Sequence, residues 1–202
     1  MAIVKWANAL DLITPHVPTC PIDTITDYLG ITYADFCART HIWRETIDPQ
    51  YTVSNVAEYD VDGEAVIESV LWATCEKQNL IHTDARLVDP TTLDDTGMPT
   101  KFWVLNDTTI RLYKIPDRKY SLNITVALKP YRKNTGMQDW LYETYIDHII
   151  NGALCRILKI PNKEWSNFEL ALYHSKEYEQ AVTNARIRDY RNVNLKVVQR
   201  RM

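Results

Sequence analysis

Glycine is scarce in this chain, five in 202 residues, while tyrosine (12) and tryptophan (6) are plentiful. That usage favours packed amphipathic surfaces and interfaces over a glycine-rich phosphate-binding loop. Cysteine is sparse too: Cys20, Cys37, Cys75 and Cys155 lie far apart, with no C-x-x-C pair. Zinc-ribbon and redox motifs are thereby excluded, and the four read as free structural thiols in a reducing compartment. Nowhere does the chain run for the ~18 to 20 uninterrupted apolar residues of a membrane span. Its start, with Lys5 inside a brief apolar run and Asp11 following, makes a poor signal peptide, so the chain is expected to be soluble and not secreted.

What is present fits a globular protein. With 46% hydrophobic and 24% charged residues, the chain can bury one sizeable core or two small lobes. Its charge is unevenly spread. From Arg186 onward, Arg186, Arg188, Arg191, Lys196, Arg200 and Arg201 stand against one acid, Asp189, a net of +5; the whole chain is −3, so the remainder is −8. An acidic body with a short basic tail points to a part that docks onto something else.

Helical periodicity marks both ends. After the proline-punctuated stretch Pro15 to Pro21, Asp23 is expected to cap a helix whose buried face is Ile22, Ile25, Leu29, Tyr33, Phe36, Cys37 and Thr40. Gly30 within it costs about 1 kcal/mol relative to alanine, which implies a local packing reason. A second helix is expected over 138–159, with Leu141, Tyr145, Ile149, Leu154 and Ile157 central to a wide apolar face. Ser166 to Glu169 reads as a capping box that opens a last helix to Tyr190, packed through Phe168, Ala171, Leu172, Tyr178, Val182 and Ala185, with Trp165 stapled to Leu170. Trp43 and Trp140 flank helix boundaries and read as packing residues.

Between the helices the texture is short, β-branched and aromatic. Asp62-Gly63, Asn106-Asp107 and Pro116-Asp117-Arg118 read as hairpin turns. Tyr120 to Lys129 alternates strictly, so one side of that strand is expected to be buried and the other wet. The polar stretch 89–99 is long enough to read as a functional or mobile loop. The fold class is therefore α+β: a helical bundle formed by both chain ends (1–46 and 130–190), an inserted antiparallel β domain (47–129) and an extended basic C-terminal arm (191–202).

Catalytic constellations are weak. Cys37 and His41 share a helix face, but Cys37 lies on the apolar stripe, where a buried structural thiol is the reading. Glu143, Asp147 and His148 share one helix at E-x4-H spacing, which puts the glutamate and histidine on different faces. His82 and Asp84 read as a surface hydrogen bond, and His16 and His174 have no companions in sequence. No cofactor, metal site or enzymatic activity is expected. Two alternatives stay open: a DNA-binding accessory protein using the basic tail, which the acidic body and absent RNA-recognition motif disfavour, and a hydrolase.

The order of features resembles the head-to-tail adaptor (connector) proteins of tailed bacteriophages. The resemblance rests on Pro15-His-Val-Pro-Thr-Cys-Pro21 leading into a helix that ends Asp35-Phe-Cys-Ala-Arg-Thr40-His-Ile-Trp43, on Phe102-Trp-Val-Leu and Ile110-Arg-Leu-Tyr-Lys-Ile-Pro116, on Asn151-Gly-Ala-Leu154, and on Lys163-Glu-Trp-Ser-Asn167. It implies a homo-oligomeric ring, usually of twelve copies, in the virion neck between the capsid portal and the tail, assembled in the host cytoplasm. It implies that the helices and the C-terminal segment bind the portal protein, while the β part offers a docking platform to tail or nozzle proteins. DNA would pass through the lumen without sequence-specific binding. Carried to this chain, the portal-binding arm is Arg188, Arg191, Val193, Leu195, Lys196, Val197, Val198, Arg200 and Arg201, expected to be disordered until it binds.

Overall fold

The computed structural model describes residues 2–47, 51–60 and 65–199, with backbone alone from 189 onward. In chain order the elements are β1 (Ile3–Lys5), α1 (Leu10–Ile13), α2 (Ile22–Thr40), β2 (Arg44–Thr46), β3 (Glu58–Asp60), β4 (Ala65–Cys75), β5 (Gln78–Asn79) and β6 (Ile81–His82). There follow β7 (Lys101–Val104), β8 (Thr109–Tyr113), β9 (Leu122–Pro130), β10 (Gly136–Gln138), α3 (Asp139–Leu158) and α4 (Phe168–Gln199). Contacts divide the chain into two compact units, one of residues 1–42 with 130–202 and one of residues 43–129.

The first unit is built on α2, α3 and α4. Helix α2 buries Ile25, Leu29, Tyr33, Phe36, Cys37 and Thr40, as its periodicity requires. Its first residue, Ile22, is exposed, because Pro21 serves as N-cap in extended backbone and Asp23 falls in the first turn, with no side-chain cap bond. There its charge complements the helix dipole instead. Gly30 has the packing reason its cost implied: a Cβ would sit 3.2 Å from Asn134 Nδ2, which donates to the Gly30 carbonyl. Where α2, α3 and α4 meet, the Phe36 ring lies 5.2 Å from Tyr145 and 6.3 Å from Tyr178, centroid to centroid. Gly152 of α3 allows this close approach, since a Cβ there would come within 2.5 Å of Thr32 Cγ2 and 2.7 Å of the Tyr178 ring. A short antiparallel pair, β1 with β10, closes the unit.

The start of α4 differs from the capping-box expectation. Asn167 is the cap, its Oδ1 accepting from the Leu170 amide at 3.0 Å. Ser166 is drawn back into the preceding turn, where its hydroxyl donates to the Ile160 carbonyl and accepts from the Lys163 amide. With the cap one residue later, Trp165 no longer occupies the position of a staple.

The second unit holds two four-stranded sheets, ordered β2-β9-β4-β5 and β3-β8-β7-β6. Asn106-Asp107 does turn a hairpin: Leu105 N–H donates to the Thr109 carbonyl, and Asn106 Oδ1 accepts from the amides of Thr108 and Thr109. Pro116 to Arg118 does not, because β8 and β9 belong to different sheets and the segment links them. Asp62-Gly63 lies outside the described residues. Nor is the unit purely antiparallel, for β6 runs parallel to β7. The stretch 83–100 supplies the long crossover that a parallel pair needs. Two short 3-10 turns capped by Asp84 and Asp89 shape it, and Gly97 N–H donates to the Ile115 carbonyl, so its end is fastened to the sheet. On β9 the alternation holds only at the ends: Thr125 and Ala127 are buried along with Ile124, Val126 and Leu128, so both faces of the strand are covered at its centre.

Candidate docking surface

Helix α4 is the longest element, 32 residues and so about 48 Å from end to end. Its inward stripe is Ala171, His174, Tyr178, Ala181, Val182 and Ala185, all buried. Phe168 and Leu172, expected on that stripe, are instead 66% and 52% exposed, with Tyr173 and Ile187 exposed as well. Small residues line the packed side because the helices approach closely there, and the large apolar side chains are left to solvent. Contiguous exposed apolar groups of this kind mark interaction surfaces.

A polar clamp fixes α4 in place. The Arg39 guanidinium forks onto Glu179, with Nη1 donating to Oε1 at 2.8 Å and Nη2 to Oε2 at 2.5 Å. Tyr178 OH donates to Asp35 Oδ2 at 2.8 Å, and Arg156 Nη2 reaches the same oxygen at 3.3 Å. The hydrogen bond to Arg39 holds the Glu179 carboxyl below its ordinary range, while burial and then Asp35 push the Tyr178 hydroxyl far above its own. Bidentate Arg–carboxylate geometry gives the clamp direction as well as attraction.

Beyond Ala185 the buried stripe ends among the described side chains. Arg188 is exposed on α4. Arg191, Val193, Leu195, Lys196, Val197 and Val198 lie on helical backbone that runs to Gln199, so an extended arm is replaced by more helix through that point. Their side chains, and Arg200 and Arg201 altogether, lie outside the described residues. The sequence explains the continuation: no glycine or proline follows Phe168 to stop the helix.

The sites weighed for catalysis take structural roles. Cys37 is fully buried, and burial raises its thiol well above the ordinary range. Asp84 pairs with Arg86 at 2.6 Å, which holds its carboxyl down at about 2. Among the described residues no three His, Cys, Asp or Glu side chains are grouped to hold a metal ion. His16 and His174, solitary in sequence, do meet: their rings stand 5.9 Å apart at 90°. His174 is 5% exposed, its Nδ1 is 2.7 Å from Asn151 Oδ1, and burial followed by the charge of His16 lowers its pKa, with Glu177 acting the other way.

That shift gives a pH dependence of known sign. The unfolded chain takes up a proton near the ordinary value of 6.5, while the folded chain resists it, so stability is intact above this pH and falls as pH drops below it. Equilibrium urea unfolding between pH 7.5 and 5 is expected to show stability falling as pH drops through and below 6.5. His174→Asn should flatten that slope; an unchanged slope would reassign it to another group.

A family model described as SU10 adaptor protein matches residues 2–200. The chain belongs to the SU10 adaptor family. It is a structural protein of a phage virion, consistent with a head-to-tail adaptor, and its family is not one of enzymes. No curated protein matches it. The adaptor family implies interaction with other phage proteins such as portal and tail. Among the described residues no helix is long and apolar enough to cross a membrane.

Proposed function

We propose that this chain is a ring-forming head-to-tail adaptor that binds the portal through α4 and the basic stretch 186–202, and so builds the platform on which the tail docks. The observation that carries this reading is the continuity of α4. One helix is clamped into the first unit through Tyr178 and Glu179 and runs on, past Ala185, the last buried residue among the described side chains, into the segment that holds the chain's excess of positive charge. The helix and the residues that follow it in sequence offer Arg188, Arg191, Lys196, Arg200 and Arg201 to carboxylates, and Val193, Leu195, Val197 and Val198 to grooves, on a neighbouring subunit.

Each exposed ion pair contributes only about 0.3 to 1 kcal/mol. Twelve copies meeting a twelve-fold portal turn such contacts into one multivalent joint. The second unit, with its exposed Ile81, Leu87 and Leu105, then faces the tail or nozzle proteins, in the virion neck, and DNA passes through the lumen without sequence-specific binding. Light scattering on the chain alone and mixed with the portal ring of the same phage tests this. The expected result is a complex with one copy per portal subunit, and a mixture whose masses remain those of the separate components would refute it.

A further inference from the structure

The Nε2 atom of His174 is buried and has no hydrogen-bond partner among the described residues. Leaving a buried polar atom unpaired is costly, and an absent ion is one of the standard reasons for finding one. The partner of the other ring nitrogen decides its chemistry. Asn151 Oδ1, 2.7 Å from Nδ1, is a carbonyl oxygen and only accepts, so Nδ1 carries the proton and Nε2 presents a lone pair. Metal-binding histidines are fixed in this way, with one nitrogen donating to an oxygen and the other turned to the metal.

A second imidazole stands beside it. His16, exposed in the 3-10 turn Thr14–His16, has its ring centroid 5.9 Å from that of His174. Two imidazoles that share one ion at metal–nitrogen distances of about 2.0 to 2.1 Å have centroids roughly 5 to 6 Å apart. Glu177 follows His174 by three residues on α4, and residues three apart are neighbours on a helix surface.

We propose that His174 Nε2 and an imidazole nitrogen of His16 bind a divalent transition-metal ion of the zinc, nickel or copper class, which fastens the 14–16 turn to α4. Imidazole suits these three ions. No third ligand is preassembled among the described residues, so water, or Glu177 after a change of rotamer, completes the coordination, and affinity falls below that of a closed four-ligand site. Both ligands bind as neutral imidazoles, so binding weakens as pH falls.

The test uses the full chain without a histidine tag, titrated with zinc chloride by calorimetry and followed by thermal unfolding. Expected are one equivalent bound and a rise in Tm of about 5 °C at a free zinc concentration ten times Kd. His16→Gln, at an exposed position, should leave the metal-free Tm unchanged and weaken binding at least about tenfold, the order of a lost ligand. Absence of saturable one-to-one binding, or equal zinc affinity in His16→Gln, would overturn the proposal.

Discussion

Phe36→Ala is expected to lower the stability of the first unit by about 3 to 5 kcal/mol, the range for deleting a fully buried aromatic ring. Phe36 has no exposed surface, and its ring touches neighbours on two other helices, Tyr145 of α3 and Tyr178 of α4. Removal therefore opens a cavity where three helices converge. Collapse of that cavity is resisted from each side: Gly152 already brings α3 against Thr32 and Tyr178, and the Arg39–Glu179 and Tyr178–Asp35 bonds hold α4 to α2. A loss of this size is a large share of the 5 to 15 kcal/mol that keeps a domain folded. Urea unfolding followed by near-ultraviolet circular dichroism measures it. A cost under about 1 kcal/mol would mean that the helices close over the gap, contrary to the packing described.

The elements that were legible in the sequence are those whose pattern has one physical reading. On α2 and α3 large apolar residues recur at three and four, and, Ile22 apart, those residues are buried, Leu141, Tyr145 and Ile149 among them. Helix α4 carries two apolar sets on different faces, and periodicity alone does not say which is packed. Of the six residues expected on the packed stripe, Ala171, Tyr178, Val182 and Ala185 are buried, whereas Phe168 and Leu172, included for their size, are exposed. Alternation on β9 marks the strand but not what covers its second face, so the burial of Thr125 and Ala127 was out of reach. The parallel pairing of β6 with β7 had no local signal, since crossover length permits a parallel pair without requiring one. The His16–His174 contact joins residues far apart in the chain, and nothing near either one announces the other. The adaptor reading rests on the order of features, and the residues proposed to bind the portal lie mostly beyond Arg188, outside the described side chains.

Deleting 191–202 is expected to leave the fold intact and to reduce portal binding by more than about 100-fold. The first half follows from where burial stops: Ala185 is the last buried residue described on α4, and Ile187 and Arg188 are already exposed. The clamp at Tyr178 and Glu179 lies well before the cut, so Tm should shift little. The second half follows from what is removed. Arg191, Lys196, Arg200 and Arg201 are four of the six cations of the basic stretch, and Val193, Leu195, Val197 and Val198 are its apolar residues. A 100-fold change is about 2.7 kcal/mol, within the gross gain of burying one or two such aliphatic side chains, before any ion pair is counted. Raising salt from 50 to 500 mM should weaken the full-length complex in part, through the exposed charge pairs, while leaving the apolar share. Sedimentation or light scattering with the portal ring reads both effects. Truncated protein that binds as tightly as full-length would move the docking surface to the exposed face at Phe168, Leu172 and Tyr173, whereas a truncated protein that melts early would show that the far end of α4 belongs to the fold.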